Sequence, residues 1–189
     1  MPMHCKSIIT RISPLIFVGM IIAFSIVPVW AIAAEPTENA VKAAYLYNFA
    51  QFVDWPPDTW TSSSEPFNVC ILGDNPFGRA LETIHGKTIK MRKVSVVLID
   101  KPSAVDHCQV LFISQSINRQ VEQIIKQVDR RPILTISDMV DFVQAGGMIG
   151  LFTDEGRIQF EINNSAAEQA GLTISSHLLR LGNKGGRHD

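Results

Sequence analysis

Beyond residue 34 the sequence has no apolar run approaching 18 residues, so nothing in that part is long and greasy enough to cross a bilayer as a helix. It has no H-E-x-x-H, no paired-histidine spacing and no C-x-x-C, which removes the usual zinc and dithiol signatures. Its glycines fit neither G-x-G-x-x-G nor a P-loop, and no G-x-S-x-G elbow presents a serine nucleophile. Neither sign of charge dominates. With 17 Lys and Arg against 18 Asp and Glu the formal charge is -1, which excludes a nucleic-acid binder working by bulk charge. No internal repeat or low-complexity tract appears, and a hydrophobic share of 46% against 19% charged belongs to a chain that folds.

What is present begins with a three-part N-terminus. Lys6 and Arg11 precede the apolar run Ile12–Val29, and the small residues Ala31, Ala33 and Ala34 follow it. That layout predicts a secretory signal peptide over residues 1–33, cleaved after Ala33. An uncleaved anchor over Ile12–Ala34 is the competing reading, and it would have to tolerate Pro14 and Pro28. Loss of Lys6 and Arg11, with no acid among the same residues, moves the formal charge from -1 to -3. Cys5 leaves with the leader, and Cys70 and Cys108 remain as an even pair. In an oxidising compartment such a pair tends to join; two separate buried thiols are the alternative.

Residues 34–182 read as one domain, followed by a polar, glycine-rich tail at 183–189 that is expected to be disordered. Val41, Ala44, Tyr45, Phe49, Phe52 and Val53 recur at helical spacing and predict an amphipathic helix stopped by Pro56 and Pro57. Short apolar strands follow at FNVCIL, KVSVVLI, QVLFIS and PILTIS, with TIKM an edge piece or a lead-in. Helical stretches are predicted at FGRALETI after Asn75-Pro76, at INRQVEQIIKQV capped by Ser116, and at MVDFVQA. MIGLFTDEGRIQFEI predicts a hairpin turning at Asp154–Gly156, and a last helix is capped by Ser165 with Glu168 and ended by Gly182. Alternating strands and helices imply a mostly parallel sheet covered on both faces, a three-layer α/β/α sandwich closed by a C-terminal antiparallel hairpin.

Two regions carry candidate sites. Asp74 and Asn75 in the GDNPFG turn, with Asp100, Ser114 and Ser137 at other strand ends, define a possible small-ligand crevice at the carboxyl ends of the strands. The same residue types are also ordinary turn and cap formers. Around the first helix, AAYLY holds more large apolar residues than one face can bury, so Leu46, Tyr47, Trp55 and Trp60 are candidates for a protein interface. His85, His107, His177 and His188 are scattered, so no metal site and no cofactor is expected. Three classes of function follow: a binding protein, a periplasmic ligand receptor with that pocket, or a small exported hydrolase needing convergent titratable groups.

KAAYLYNFAQFVDWP followed by FNVCILGDNPFG, then VLFIS, PILTISDM, GGMIGLF, IQFEIN and AGLTISSHLLRL, resembles the YfiR-like family of exported regulatory proteins from Asn39 to Leu181. The resemblance implies an α/β fold, a periplasmic location and a tendency to form homodimers. It also implies repression of an inner-membrane diguanylate cyclase, achieved by binding its periplasmic sensor region and lowering cyclic-di-GMP signalling and biofilm formation. An OmpA-like outer-membrane lipoprotein is the implied antagonist, and no nucleic acid or catalytic residue is implied. Cys70 and Cys108 match the positions of a family disulfide, whereas the second cysteine pair that some members carry around Gly146–Phe152 is missing. Mass measurement of the protein from a periplasmic fraction is expected to find a chain beginning near Ala34. A full-length, membrane-embedded product overturns the cleaved-signal reading.

Overall fold

Strands that are apolar on both sides must lie in the middle of a fold, and this sequence supplies several in succession. The computed structural model describes residues 37–182, so the expected leader and tail lie outside the described residues. The strands are β1 (Val53–Asp54), β2 (Phe67–Leu72), β3 (Thr88–Ile89), β4 (Arg92–Ile99) and β5 (Val110–Ile113). They continue as β6 (Leu134–Ser137), β7 (Ile149–Asp154), β8 (Arg157–Ile162) and β9 (Thr173–Ile174). The α-helices are α1 (Glu38–Gln51), α2 (Val121–Val128), α3 (Asn164–Gln169) and α4 (Ser176–Gly182). Seven strands form one sheet in the order β3-β4-β2-β5-β6-β7-β8. The run from β4 to β7 is parallel, and β3 and β8 add antiparallel edges.

Alternation along the parallel strands divides the core in two. Val69, Ile71, Phe112 and Ile136 point to a cluster that contains Ala43, Leu46 and Phe49 of α1. Cys70, Leu72, Leu111 and Ile113 point the other way, to Ile124 and Val128 of α2. Each fully buried side chain of this size contributes about 1.5–3 kcal/mol by leaving water, so both faces need cover.

A mixed α/β chain around a mostly parallel sheet is what the sequence predicts and what the molecule is. The regular helical connections are not. FGRALETI forms only a 3-10 turn over Gly78–Thr83. Asp100–His107, too short for a regular helix, carries a 3-10 turn begun at Pro102. MVDFVQA is a series of turns rather than a helix, because Asp141 (φ 58°) and Gly146 (φ 100°) adopt left-handed backbone that no α-helix continues. The stretch expected to be capped by Ser116 opens as a 3-10 turn capped by Ser114, with α2 beginning only at Val121. The last helix is split. Asn163, not Ser165, caps α3 by accepting the Ala166 N–H at 3.0 Å. Gly171 (φ 75°) then turns the chain, and β9 leaves to pair antiparallel with β1.

The first helix also differs from its expected face. Ala43, Leu46, Phe49 and Ala50 are buried, whereas Ala44 and Phe52 are exposed. Apolar residues lie on almost every side of α1, so spacing alone cannot select the side that meets the sheet. The helix stops at Gln51, before the prolines, since Val53 and Asp54 are already engaged with β9. At the other end of the sheet, Glu155 and Gly156 both have positive φ and close the β7–β8 hairpin in two residues.

Cys70 and Cys108 are joined in a disulfide with a Cα–Cα distance of 5.8 Å, both residues being buried. The bond links β2 to the residue pair preceding β5, where the two strands come into register at Val69 and Val110. Closing that 38-residue separation stabilises by roughly 4 kcal/mol in the chain-entropy account. Thiol titration of the unfolded, unreduced protein is expected to find no free thiol from this pair, and reduction to lower the unfolding midpoint. Two titratable thiols would overturn the disulfide, and with it the topology or the oxidising compartment.

Candidate functional site

The strand-end crevice is built mostly of groups that satisfy one another. Gly73 (φ 89°) turns the chain after β2, and a Cβ there would lie 2.7 Å from the Ser116 hydroxyl. That hydroxyl accepts the Asp74 N–H at 2.9 Å. Asn75 accepts the Phe77 N–H through Oδ1 and donates through Nδ2 to the Gly78 carbonyl. Ser114 is buried and accepts from the N–H and hydroxyl of Ser116. Ser137 is fully buried, donates to the Ile113 carbonyl at 2.7 Å and accepts the Met139 N–H. Asp74 and Asp100 remain exposed at the rim. The turn chemistry of the motif is therefore accounted for by turns.

The aromatic cluster is largely a pedestal. Leu46 is 0% exposed and presents nothing to a partner, which corrects its reading as a surface residue. Trp55 meets Phe67 edge-on at 5.0 Å and Trp60 lies 6.2 Å from the same ring, both indoles being half-buried. The Arg92 guanidinium sits 4.4 Å above the Trp60 ring. Tyr47 is half-buried at the edge: its hydroxyl donates to the Thr88 carbonyl at 3.1 Å, and the Lys87 ammonium lies 5.0 Å from its ring. Of the four residues expected at an interface, Tyr47 has the most evident reach to the rim of the first helix.

Sequence reasoning missed an anchored crest on the opposite side of α1. Lys42, which has a glutamate four residues before it, is 9% exposed. Its ammonium lies 2.8 Å from Asp138 Oδ2 and 2.9 Å from Glu38 Oε1. Burial pushes the Lys42 pKa down, but the hydrogen bonds and charges of Asp138 and Glu38 outweigh it, and the net shift is upward. Hydrogen bonding to Lys42, then its charge, holds Glu38 below the ordinary carboxylate value. Gln115 Nε2 donates to the Asp138 carbonyl at 3.0 Å, so the residue leaving β6 is fixed from two sides. Immediately beyond, Val140 is 74% exposed. Shallow cavities of about 240 and 310 Å³ flank the segment, and both include Met139 and Val140. A fixed loop presenting an apolar side chain between two hollows suits protein contact. Its signal in the sequence was only the pair Glu38 and Lys42.

A larger cavity, of about 430 Å³, opens at the amino ends of β2 and β5, opposite the predicted crevice. Among the described residues no group of three or more His, Cys, Asp or Glu is arranged to hold a metal ion.

Lys42→Met is expected to cost about 1–3 kcal/mol, because it strands a mostly buried Asp138 carboxylate. Since the folded-state pKa of Lys42 is raised, its contribution is complete below its ordinary value of 10.5 and fades as pH rises through the folded value. Unfolding midpoints measured across the alkaline range should therefore fall for the wild type and show a weaker fall for Lys42→Met. Parallel curves would remove Lys42 from the account.

A family model described as YfiR/HmsC-like matches residues 39–183, from the second residue of α1 to one residue past the end of α4. That span takes in the disulfide, the whole sheet and the Lys42-anchored crest, and the chain belongs to the YfiR/HmsC-like family.

Proposed function

We propose that this chain is a periplasmic regulatory binding protein that represses an inner-membrane diguanylate cyclase by engaging its periplasmic sensor region. The observation that carries the reading is membership of the YfiR/HmsC-like family across residues 39–183. The Cys70–Cys108 disulfide supports an oxidising compartment, and the predicted leader supports export. Repression lowers cyclic-di-GMP output, an OmpA-like outer-membrane lipoprotein relieves it, and the protein works as a homodimer.

Binding of this kind needs a few apolar anchors on a rigid support, each worth about 2 kcal/mol or more at the centre of an interface. Val140 on its double-anchored loop fits that role, and Tyr47 is the second position to test. Capture from solubilised membranes with the purified protein, followed by mass identification, is expected to recover a membrane diguanylate cyclase. Val140→Asp should abolish the capture while changing stability by less than about 0.5 kcal/mol, because the side chain is exposed. Recovery of no cyclase overturns the proposal; equal recovery by the variant moves the contact away from the crest.

A further inference from the structure

The cavity at the amino ends of β2 and β5 has no part in the cyclase reading, and its polar groups are not consumed by the fold. Gln109, at its floor, is 6% exposed. Its backbone N–H donates to the Asn68 carbonyl at 3.0 Å, and its carbonyl accepts the Leu134 N–H at 2.9 Å. Its side-chain Oε1 accepts the Asn68 N–H at 2.7 Å. Only Nε2 is left without a protein partner among the described residues. An amide of this kind is held in place by its own oxygen while its two donors wait for an acceptor. The Thr59 hydroxyl, on the cavity wall, is buried without a partner.

Two carboxylates and the His107 imidazole are the ionisable groups of the lining. Glu65 and Asp106 line the cavity, and no lysine or arginine does. Arg131 reaches Asp106 Oδ1 at 2.9 Å from outside, which leaves Oδ2 available. Arg92 is committed to the backbone carbonyls of Ser62 and Glu65 and to the face of Trp60. The Glu65 carboxylate holds the N–H and hydroxyl of Thr61 and is bonded by the Ser62 backbone as well. An anion would meet two carboxylates here, and an apolar ligand would strip water from them with nothing in return. The complementary molecule brings an oxygen acceptor to the floor and hydroxyl and ammonium donors to the rim. A volume of about 430 Å³ falls within the usual range of small-molecule sites, about 300–1,000 Å³.

We propose that this cavity, where Gln109 Nε2 shares a lining with the Glu65 and Asp106 carboxylates, is a binding site for a small hydroxylated amine of the amino-sugar class. Calorimetric titration of the purified, oxidised protein with glucosamine, glucose and glucuronate separates the alternatives by charge. Glucosamine should bind saturably and tightest, glucose more weakly and glucuronate least, with glucosamine affinity falling as salt is raised. Asp106→Asn and Glu65→Gln should each weaken glucosamine about tenfold while the variant stays folded at the temperature of the titration. Gln109→Leu should abolish binding; if that variant does not fold, the two rim variants decide. Absence of saturable glucosamine binding, equal or tighter binding of glucuronate, or unchanged affinity in both rim variants overturns the proposal.

Discussion

Two-sided burial of β2 and β5 is the constraint on which the rest of this structure depends. Val69, Cys70, Ile71 and Leu72 are each 0–2% exposed, as are Val110 to Ile113 on the neighbouring strand. A pair of strands with no wet face must have cover above and below, and the chain supplies it unequally. One side receives α1, α4 and the 3-10 turn at Gly78–Thr83; the other receives α2 and the turns on either side of it. The disulfide sits on the second side, next to Leu72 and Leu111, where helical cover is shortest. A covalent tie there offsets what a single eight-residue helix cannot provide.

The same constraint explains why a lysine is buried. α1 must lie flat against the first core cluster, and its apolar residues fall on nearly all sides. Seating Leu46 and Phe49 in the core therefore carries Lys42 inward as well. An ammonium in that position is tolerated only with carboxylates at hydrogen-bond distance, and Asp138 and Glu38 provide them. The cost of seating the helix becomes a fixed distance between α1 and the segment leaving β6. Repacking the helix by one residue would break that tie and expose Leu46 together.

Strand identity was legible in the sequence because it rests on short apolar runs, and FNVCIL, VLFI and LTIS all lie where they read. The hairpin was legible through its Glu155-Gly156 turn. Helices were read less well, for two physical reasons. Left-handed residues such as Asp141 interrupt a pattern without any proline or glycine to mark them. Pairing between β1 and β9 draws on residues more than a hundred positions apart, so neither Val53 nor Ile174 announces it locally. The candidate sites follow the same division. Asp74 and Asn75 lie in the predicted turn and Ser114 and Ser137 at the predicted strand ends, but their hydrogen bonds are internal. The Lys42–Asp138 tie and the Gln109 cavity depend on tertiary placement and leave almost no trace in spacing.

Tight connections give this fold its two unlike ends. Long crossover helices would bury the ends of the parallel strands, whereas the 3-10 turns at Gly78–Thr83 and Pro102–His107 reach back without covering them. At the carboxyl end the gap is closed by the turns after Ser137, which are fixed by Lys42 and Gln115 and leave Val140 outward. At the amino end the loop before β2 is pinned by Trp55 and Trp60 against Phe67, and it arches over Asn68 and Gln109 to leave a polar hollow. One end presents Val140 between two shallow hollows, suited to a protein surface; the other is a polar hollow, suited to a small molecule. Each is built from irregular segments held on a sheet whose own side chains are spent on packing. Both proposed contacts therefore fall in the loops at opposite ends of β5, and the strand between them serves as a rigid support.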